Sequence, residues 1–381
     1  MVIVLGDAGR SPRMLNHVRA LRDRGWRVTL AGYGPTPLPF DLADDKKVRR
    51  WIIDAGRGGR LGAWLRLAVG LLGDVSWDAA LVQNPPGFPA LFAAWFGRCG
   101  RSAVLALDWH NEGAGLLRRR SLAGFYAWCE RTTARLADDH WTVSAAFSNS
   151  MKPYSATVVY DRPSRRFIES IQVTEPRAAW WKRVWPDQPL PAENARWVVA
   201  PSSWTADENH AALLRVAAWW REHASAWRGS PVAVIATGRG AGRAAFELAV
   251  AMMGDGPVSI HFGWVPQEEY PSLLAHADAG LCLHTSSSGL DLPMKLADFR
   301  GAGLPALAWV YGPVLDEIFR DGVHGAGFRD EEGLAAALHT LAVTAKDNGR
   351  LRDEPGDTWE DEWTAKLGRW AERVENENTI I

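Results

Sequence analysis

Short β-branched runs alternate with helical stretches along this chain, in two successive series. The first series runs VIVLG (2–6), RVTLAGY (27–33), AALVQ (79–83), AVLALDW (103–109), DHWTVS (139–144) and ATVVYD (156–161), with a helix expected near 13–24. The second runs RWVVAPS (196–202), VAVIATG (232–238), VSIHFG (258–263), AGLCLH (279–284) and PALAWV (305–310). Apolar runs of this length, each followed by a helical segment, are the pattern of strands in parallel sheets built from βαβ units. A Pro-rich stretch, WPDQPLPAEN (185–194), separates the two series. A chain of 381 residues is also too long for one ordinary core. The expectation is therefore α/β: two doubly wound domains facing one another across a cleft. Their boundaries are expected at 1–185, a linker at 186–194, a second domain at 195–358, and a closing helix at 359–381 packing back toward the first domain.

Charge and cysteines exclude several classes. A net charge of -1 with 23% charged residues provides no global field for nucleic acid. Cys99, Cys129 and Cys282 form neither a zinc spacing nor a disulfide framework, which points to a reducing compartment. The opening apolar run is too short for a signal peptide, and no run reaches the ~18 apolar residues of a spanning helix. A soluble or peripheral protein is expected. Two segments are sticky, RLGAWLRLAVGLLG (60–73) and GFPALFAAWFGRCG (87–100). Each reads as a core helix or as a helix lying in a bilayer interface. The RRR run at 118–120 is either a solvated turn or an attractor of anionic headgroups.

Polar residues cluster just after the strands, where open α/β sheets place their ligands. VLGDAGRSPRM (4–14) ends a strand in glycines and opens a helix, with Arg10 and Arg13 suited to a phosphate. LDWHNEG (107–113) places Asp108, His110 and Glu112 within five positions, types that serve as general base and orienter. No G-x-S-x-G elbow accompanies them, which argues against Ser-His-Asp hydrolysis. Ser202, Ser203, Thr205 and Asp207 follow a strand of the second series, and ATGRGAGR (236–243) adds a glycine turn with Arg239 and Arg243. HTSSSGLDLPMKLADF (284–299) is the most concentrated stretch. Its hydroxyls and Lys295 suit a phosphate, and Asp298, three residues on, suits a ribose diol. Together these have the make-up of a nucleotide-sugar site.

HTSSSGLDLPMKLADFRGAGLP, GDAGRSPRM, LVQNPPGFP, LDWHN, VVYDRP, SSWTADE and the closing WEDEW, in this order apart from the first, resemble the motifs of glycosyltransferase family 33, from residue 4 to about 370. The resemblance implies the GT-B fold, with two facing Rossmann-like domains. It implies an inverting transfer of mannose from GDP-mannose to O4 of the distal GlcNAc of dolichyl-diphosphate-linked chitobiose. On the donor side it implies Ser202, Ser203, Arg239, Ser286, Ser287, Ser288, Gly289, Leu290, Asp291, Lys295 and Asp298. On the acceptor side it implies Gly6, Arg10, Asn84, Asn111 and Glu112. The base is expected at His110, then Asp108, with Asp7 and Asp291 as further candidates.

The resemblance further implies no tightly bound cofactor and no protein-held metal. Its partners are the GDP-mannose donor, the lipid-linked acceptor, a membrane surface on the cytoplasmic side of the endoplasmic reticulum, and other glycosyltransferases of the pathway, without nucleic acid. Family members usually carry a transmembrane helix ahead of the first strand, and none is read here. Two rival readings stay open. One is a GT-B enzyme with another nucleotide-sugar or lipid carrier, and the other is an inactive binding scaffold.

Overall fold

The apolar runs assemble into two parallel sheets. The computed structural model of the protein describes residues 1–34, 36–52, 59–72, 77–98, 103–113, 120–152, 154–286, 288–344 and 358–379. The chain divides into two compact units, Met1–Asp161 with Trp359–Ile381, and Arg162–Thr358.

Unit 1 contains β1 (Val2–Asp7), α1 (Pro12–Asp23), β2 (Val28–Tyr33), α2 (Phe40–Ala43), β3 (Val48–Ile52), α3 (Gly59–Leu72), β4 (Ala79–Asn84), α4 (Phe88–Gly97), β5 (Val104–Trp109), α5 (Arg120–Ala134), β6 (Asp139–Thr142), α6 (Ala145–Ser150) and β7 (Ala156–Val158). Its seven strands lie in the order β3-β2-β1-β4-β5-β6-β7. All are parallel, with Val2 opposite Leu81 across β1 and β4. β5 is buried along its whole length, which is why its sequence is apolar apart from Asp108.

Unit 2 contains α7 (Arg165–Ser170), α8 (Arg177–Val184), β8 (Arg196–Pro201), α9 (His210–Glu222), β9 (Val232–Thr237), α10 (Arg243–Met253), β10 (Val258–Gly263), α11 (Tyr270–His276), β11 (Ala279–Cys282), α12 (Lys295–Gly301), β12 (Ala306–Trp309), β13 (Gly325–Phe328) and α13 (Glu331–Val343). Its six strands take the order β10-β9-β8-β11-β12-β13. Each sheet thus winds outward from its first strand in both directions. This puts a switch point between β1 and β4, and another between β8 and β11, where the carboxyl ends of the strands leave a crevice for ligands.

The division at Asp161 corrects the boundary expected at 185. Trp180, Trp181 and Trp185, on and just after α8, are buried with Trp197, Val199 and Ile235 in the core of unit 2. Trp180 donates to Glu269 at 3.0 Å and Trp185 to the Trp264 carbonyl at 2.9 Å. The prolines of 185–194 therefore punctuate a connection inside unit 2 and do not separate the units. The last helix, α14 (Trp359–Thr379), belongs to unit 1, where Trp359, Trp363, Leu367 and Trp370 share a core with Met14, Leu15 and Val18 of α1. Two strands, β3 and β13, went unread in the sequence because VRRWI is half-exposed and GAGF is short and glycine-rich.

Candidate functional site

At the carboxyl end of β5, Asp108 is fully buried and Arg13 of α1 meets it with two parallel hydrogen bonds, Nε to Oδ2 at 2.8 Å and Nη2 to Oδ1 at 2.9 Å. Arg13 also reaches Asp161 Oδ1 and the Val159 carbonyl, both at 2.9 Å. The ring of His17 lies with Nε2 3.3 Å from Asp108 Oδ2, and its Nδ1 accepts from the Trp363 indole at 3.1 Å. Burial alone would raise the Asp108 carboxyl, but the Arg13 guanidinium and His110 hold it well below the usual carboxylate range. Burial pushes His17 down, so it stays neutral. This corrects two expectations. Arg13 is a buried partner of carboxylates and not a phosphate ligand, and Asp108 has neither the basicity nor an open oxygen to act as base.

His110 reaches solvent from this cluster, with its side chain 20% exposed. Its Nε2 lies 2.9 Å from Asp108 Oδ2, which assigns the ring proton to that nitrogen. The other nitrogen, Nδ1, then carries the lone pair, and Gln83 Nε2 donates toward it from 3.4 Å. Ser11 in turn donates to Gln83 Oε1 at 3.0 Å. A buried carboxylate thus fixes the tautomer and orientation of a half-buried imidazole, the arrangement that makes histidine a directed base.

The other expected residues of unit 1 have separate surroundings. Asp7 accepts from Thr36 at 2.6 Å through Oδ2, while its buried Oδ1 has no partner among the described residues. A Cβ at Gly6 would meet Val4 Cγ1 at an ordinary contact distance of 3.8 Å, and Arg10 is exposed. Asn84 is fully buried and does not form an accessible wall. It accepts from Gly87 N at 2.7 Å and donates to the Asn111 carbonyl at 3.3 Å, so it braces the loop after β5. Asn111 accepts from Glu112 N at 2.8 Å, and Glu112 lies 3.8 Å from Arg131.

In unit 2 the organising residue is Glu208, which the sequence reading passed over. Its buried Oε2 accepts from Ser202 Oγ at 2.6 Å, Ser203 N at 3.0 Å, Ser203 Oγ at 3.2 Å and Trp204 N at 3.0 Å. Its Oε1 is paired with the Lys295 ammonium. His210, stacked on Trp204 with ring centroids 4.5 Å apart, shares Ser202 Oγ at 2.7 Å. Gly238 lets β9 close against this turn: with φ +97° and only 1.8 Å from an ideal Cβ to the Ser202 carbonyl, no other residue fits.

His284 closes β11, and its Nε2 lies 2.9 Å from Asp291 Oδ2. Asp291 Oδ1 accepts from Ser286 and, at 3.2 Å, from Ser288. Burial would raise the Asp291 carboxyl, yet His284 and Ser286 hold it below its ordinary value. Gly289 N donates to Ser286 Oγ at 2.8 Å and Leu290 N to Ser288 Oγ at 3.2 Å. Gly289 has a left-handed φ of +71° with open space around it. Ser287 lies outside the described residues, as do residues 118 and 119 of the Arg-rich run. Lys295 and Asp298, expected to act together on one helix face, go to different partners: Asp298 accepts from the buried Tyr270 hydroxyl at 3.3 Å. Arg239 is exposed, with its guanidinium 4.1 Å from the centre of the Trp264 ring. Arg243 is occupied by Glu247 and the Gly238 carbonyl, both at 2.7 Å.

Comparison with known proteins places this geometry. A family model described as a glycosyl transferase 4-like domain matches residues 8–152, and one described as glycosyl transferase-like matches residues 235–367. The chain is 31% identical to a chitobiosyldiphosphodolichol beta-mannosyltransferase of Kluyveromyces lactis, with 96% of this chain and 88% of the relative covered. It is 30% identical to a protein of the same name from Mus musculus, covering 95% and 87%. Among solved structures, an alpha,alpha-trehalose-phosphate synthase (UDP-forming) from Burkholderia xenovorans matches with a TM-score of 0.72, over 98% of this chain and 99% of that one. At 11% identity that match speaks for the fold alone.

Proposed function

The chain belongs to the chitobiosyldiphosphodolichol β-mannosyltransferase family and is a glycosyltransferase of GT-B fold, and from that premise we propose that it moves mannose from GDP-mannose to O4 of the distal GlcNAc of a diphosphate-lipid-linked chitobiose, with inversion. The observation that carries this reading is the Asp108–His110 pair. A single displacement needs a base on the acceptor hydroxyl and stabilisation of the departing diphosphate. In this reading His110 Nδ1 takes the O4 proton as the O4–C1 bond forms and the C1–phosphate bond breaks. Asp108, too weak a base itself, stabilises the imidazolium that results.

On the donor side, Lys295 and Arg239 meet the charge that develops on the leaving GDP. The hydroxyls of Ser202, Ser203, Ser286, Ser287 and Ser288, with the backbone at Gly289 and Leu290, serve the phosphates and the mannose. Asp298, oriented by Tyr270, takes the ribose, and Asp291 with His284 holds the hydroxyl loop in shape. Gly6, Arg10, Asn111 and Glu112 face the acceptor, with Asn84 behind them as a brace. A lipid-linked acceptor brings the reaction to a membrane surface, by family the cytoplasmic face of the endoplasmic reticulum.

The test is mannose transfer to a short-lipid diphosphate-linked chitobiose, with linkage analysis of the product. The wild type should form a β-linked product, and His110→Ala should lower turnover roughly a hundredfold or more while GDP still binds. An α-linked product, or full turnover in the variant, overturns the mechanism. A thermal shift with UDP-GlcNAc and none with GDP-mannose would instead assign a different donor, since only a ligand of the native state raises the melting temperature.

A further inference from the structure

We infer that the α3–α4–α5 layer of unit 1 docks the protein on an anionic lipid bilayer. α3 packs on α4 and α4 on α5, so the three helices form one continuous layer. Leu67, Leu71, Ala90, Leu91 and Ala94 point inward and are buried. A surface helix of a soluble protein carries polar residues on its outer side. This layer does the opposite: Leu65, Val69, Phe92, Phe96, Phe125 and Trp128 all stand exposed on it, Trp128 at 63%. α4, FPALFAAWFG, has no charged side chain on any face. Phe92 and Phe96 meet edge to face at 4.8 Å, and Phe125 stacks with Trp128 at 6.1 Å. A contiguous aromatic and aliphatic surface of this kind marks an interaction site and not ordinary solvent-facing protein.

The charge around it selects the occupant. Arg66 on α3 and Arg131 and Arg135 at the end of α5 are exposed beside the apolar residues. Trp128, Arg131 and Arg135 line one concavity of about 600 Å³ on α5. Among the described residues the acids nearby are Glu112, 3.8 Å from Arg131, Glu130, which is buried and accepts from Gly113 N at 3.2 Å, and Asp138, which is paired with Arg98 just after α4. Aromatic rings flanked by guanidinium groups match a bilayer interface, with rings at the acyl boundary and cations at anionic phosphates. A net charge of -1 for the whole chain makes this a local attraction and not a general one. Among the described residues of unit 2, Leu248 and Met252 are exposed on α10, where Glu247 pairs with Arg243, and the exposed Trp219 and Trp264 stand outside that helix.

The inference deepens the lipid-linked reading but does not rest on the donor assignment, because its test contains neither nucleotide-sugar nor acceptor. The full chain is floated with vesicles of phosphatidylcholine plus phosphatidylserine, and with phosphatidylcholine alone. The wild type should float with the anionic vesicles, and F125S/W128S should lower the bound fraction about tenfold or more. R131E/R135E should lose a similar factor on anionic vesicles only. L248S/M252S should float as the wild type does. All the substituted side chains are exposed, so circular dichroism melting should be unchanged. A wild type that stays at the bottom of the gradient overturns the inference, as do unchanged flotation of F125S/W128S or loss of flotation in L248S/M252S. Displacement by inorganic phosphate at constant ionic strength, or a dimer that F125S/W128S converts to monomer, overturns it as well.

Discussion

Units 1 and 2 wind their parallel sheets in the same pattern and gather polar residues at the same place, yet they hold charge in different ways. In unit 1, the buried Arg13 guanidinium bridges the carboxylates of Asp108 and Asp161, and a single imidazole extends from that centre. In unit 2 the centre is a loop network: one buried carboxylate, Glu208, collects serine hydroxyls and backbone N–H groups on one oxygen and an ammonium on the other. A base needs a fixed lone pair in a defined direction, which rigid burial supplies. A site for a polyanion needs several donors and a cation at its surface, which a hydroxyl-rich loop supplies. On the proposed reading, the same scaffold specialises through the residues that follow its strands.

Removing the buried cation is the strongest way to test that contrast. Arg13→Met leaves Asp108 charged in a dry site, and the loss should be about 3–5 kcal/mol, read from the denaturant midpoint. A loss below about 1 kcal/mol, the scale of a surface pair, would show that unit 1 is not held by this charge. In unit 2 the effect should fall on binding more than on folding. Glu208→Gln frees Lys295 from its anchor, and GDP affinity by calorimetry should drop about tenfold, or ~1.4 kcal/mol. Turnover at saturating donor should change much less than it does in His110→Ala. If Glu208→Gln leaves GDP affinity intact, Lys295 is not the diphosphate cation.

The smallest effect is a pH dependence. Burial pushes the Lys295 amine down to about 8, against the pull of Asp207. The ammonium is charged below that value and neutral above it, so GDP affinity should fall severalfold as pH rises through 8. Lys295→Met should bind GDP weakly at every pH and show no step there. A wild-type profile that is flat from pH 7 to 9 would remove Lys295 from the donor site.

Much of this was legible in the chain before folding. The strands next to each switch point are buried on both faces, and two-sided burial demands apolar, β-branched residues whatever else the chain does. That is why β5 and β9 could be read directly, while β3, with Arg49 and Arg50 in a half-exposed edge, could not. The cluster after β5 was legible because Asp108 and His110 lie two residues apart at a strand end. Glu208 was not, since an acid in SSWTADEN looks like any helix-opening residue until the turn folds back around it. The unit boundary was misread for a related reason. Prolines mark a break in local structure, whereas tryptophans 180, 181 and 185 reveal which core they join only once packed.

By itself, the sequence determined the α/β alternation, the two series of strands, the position of polar residues at strand ends and the family. These depend on local pattern, and residues close in sequence carry that information. Tertiary structure decided which charges meet. Arg13 and Asp108 stand 95 residues apart in the chain, and only folding makes them a buried ion pair. It also decided that α3, α4 and α5 pack side by side in one layer. Long-range contacts are set by the packing of whole layers, and no window along the chain contains them.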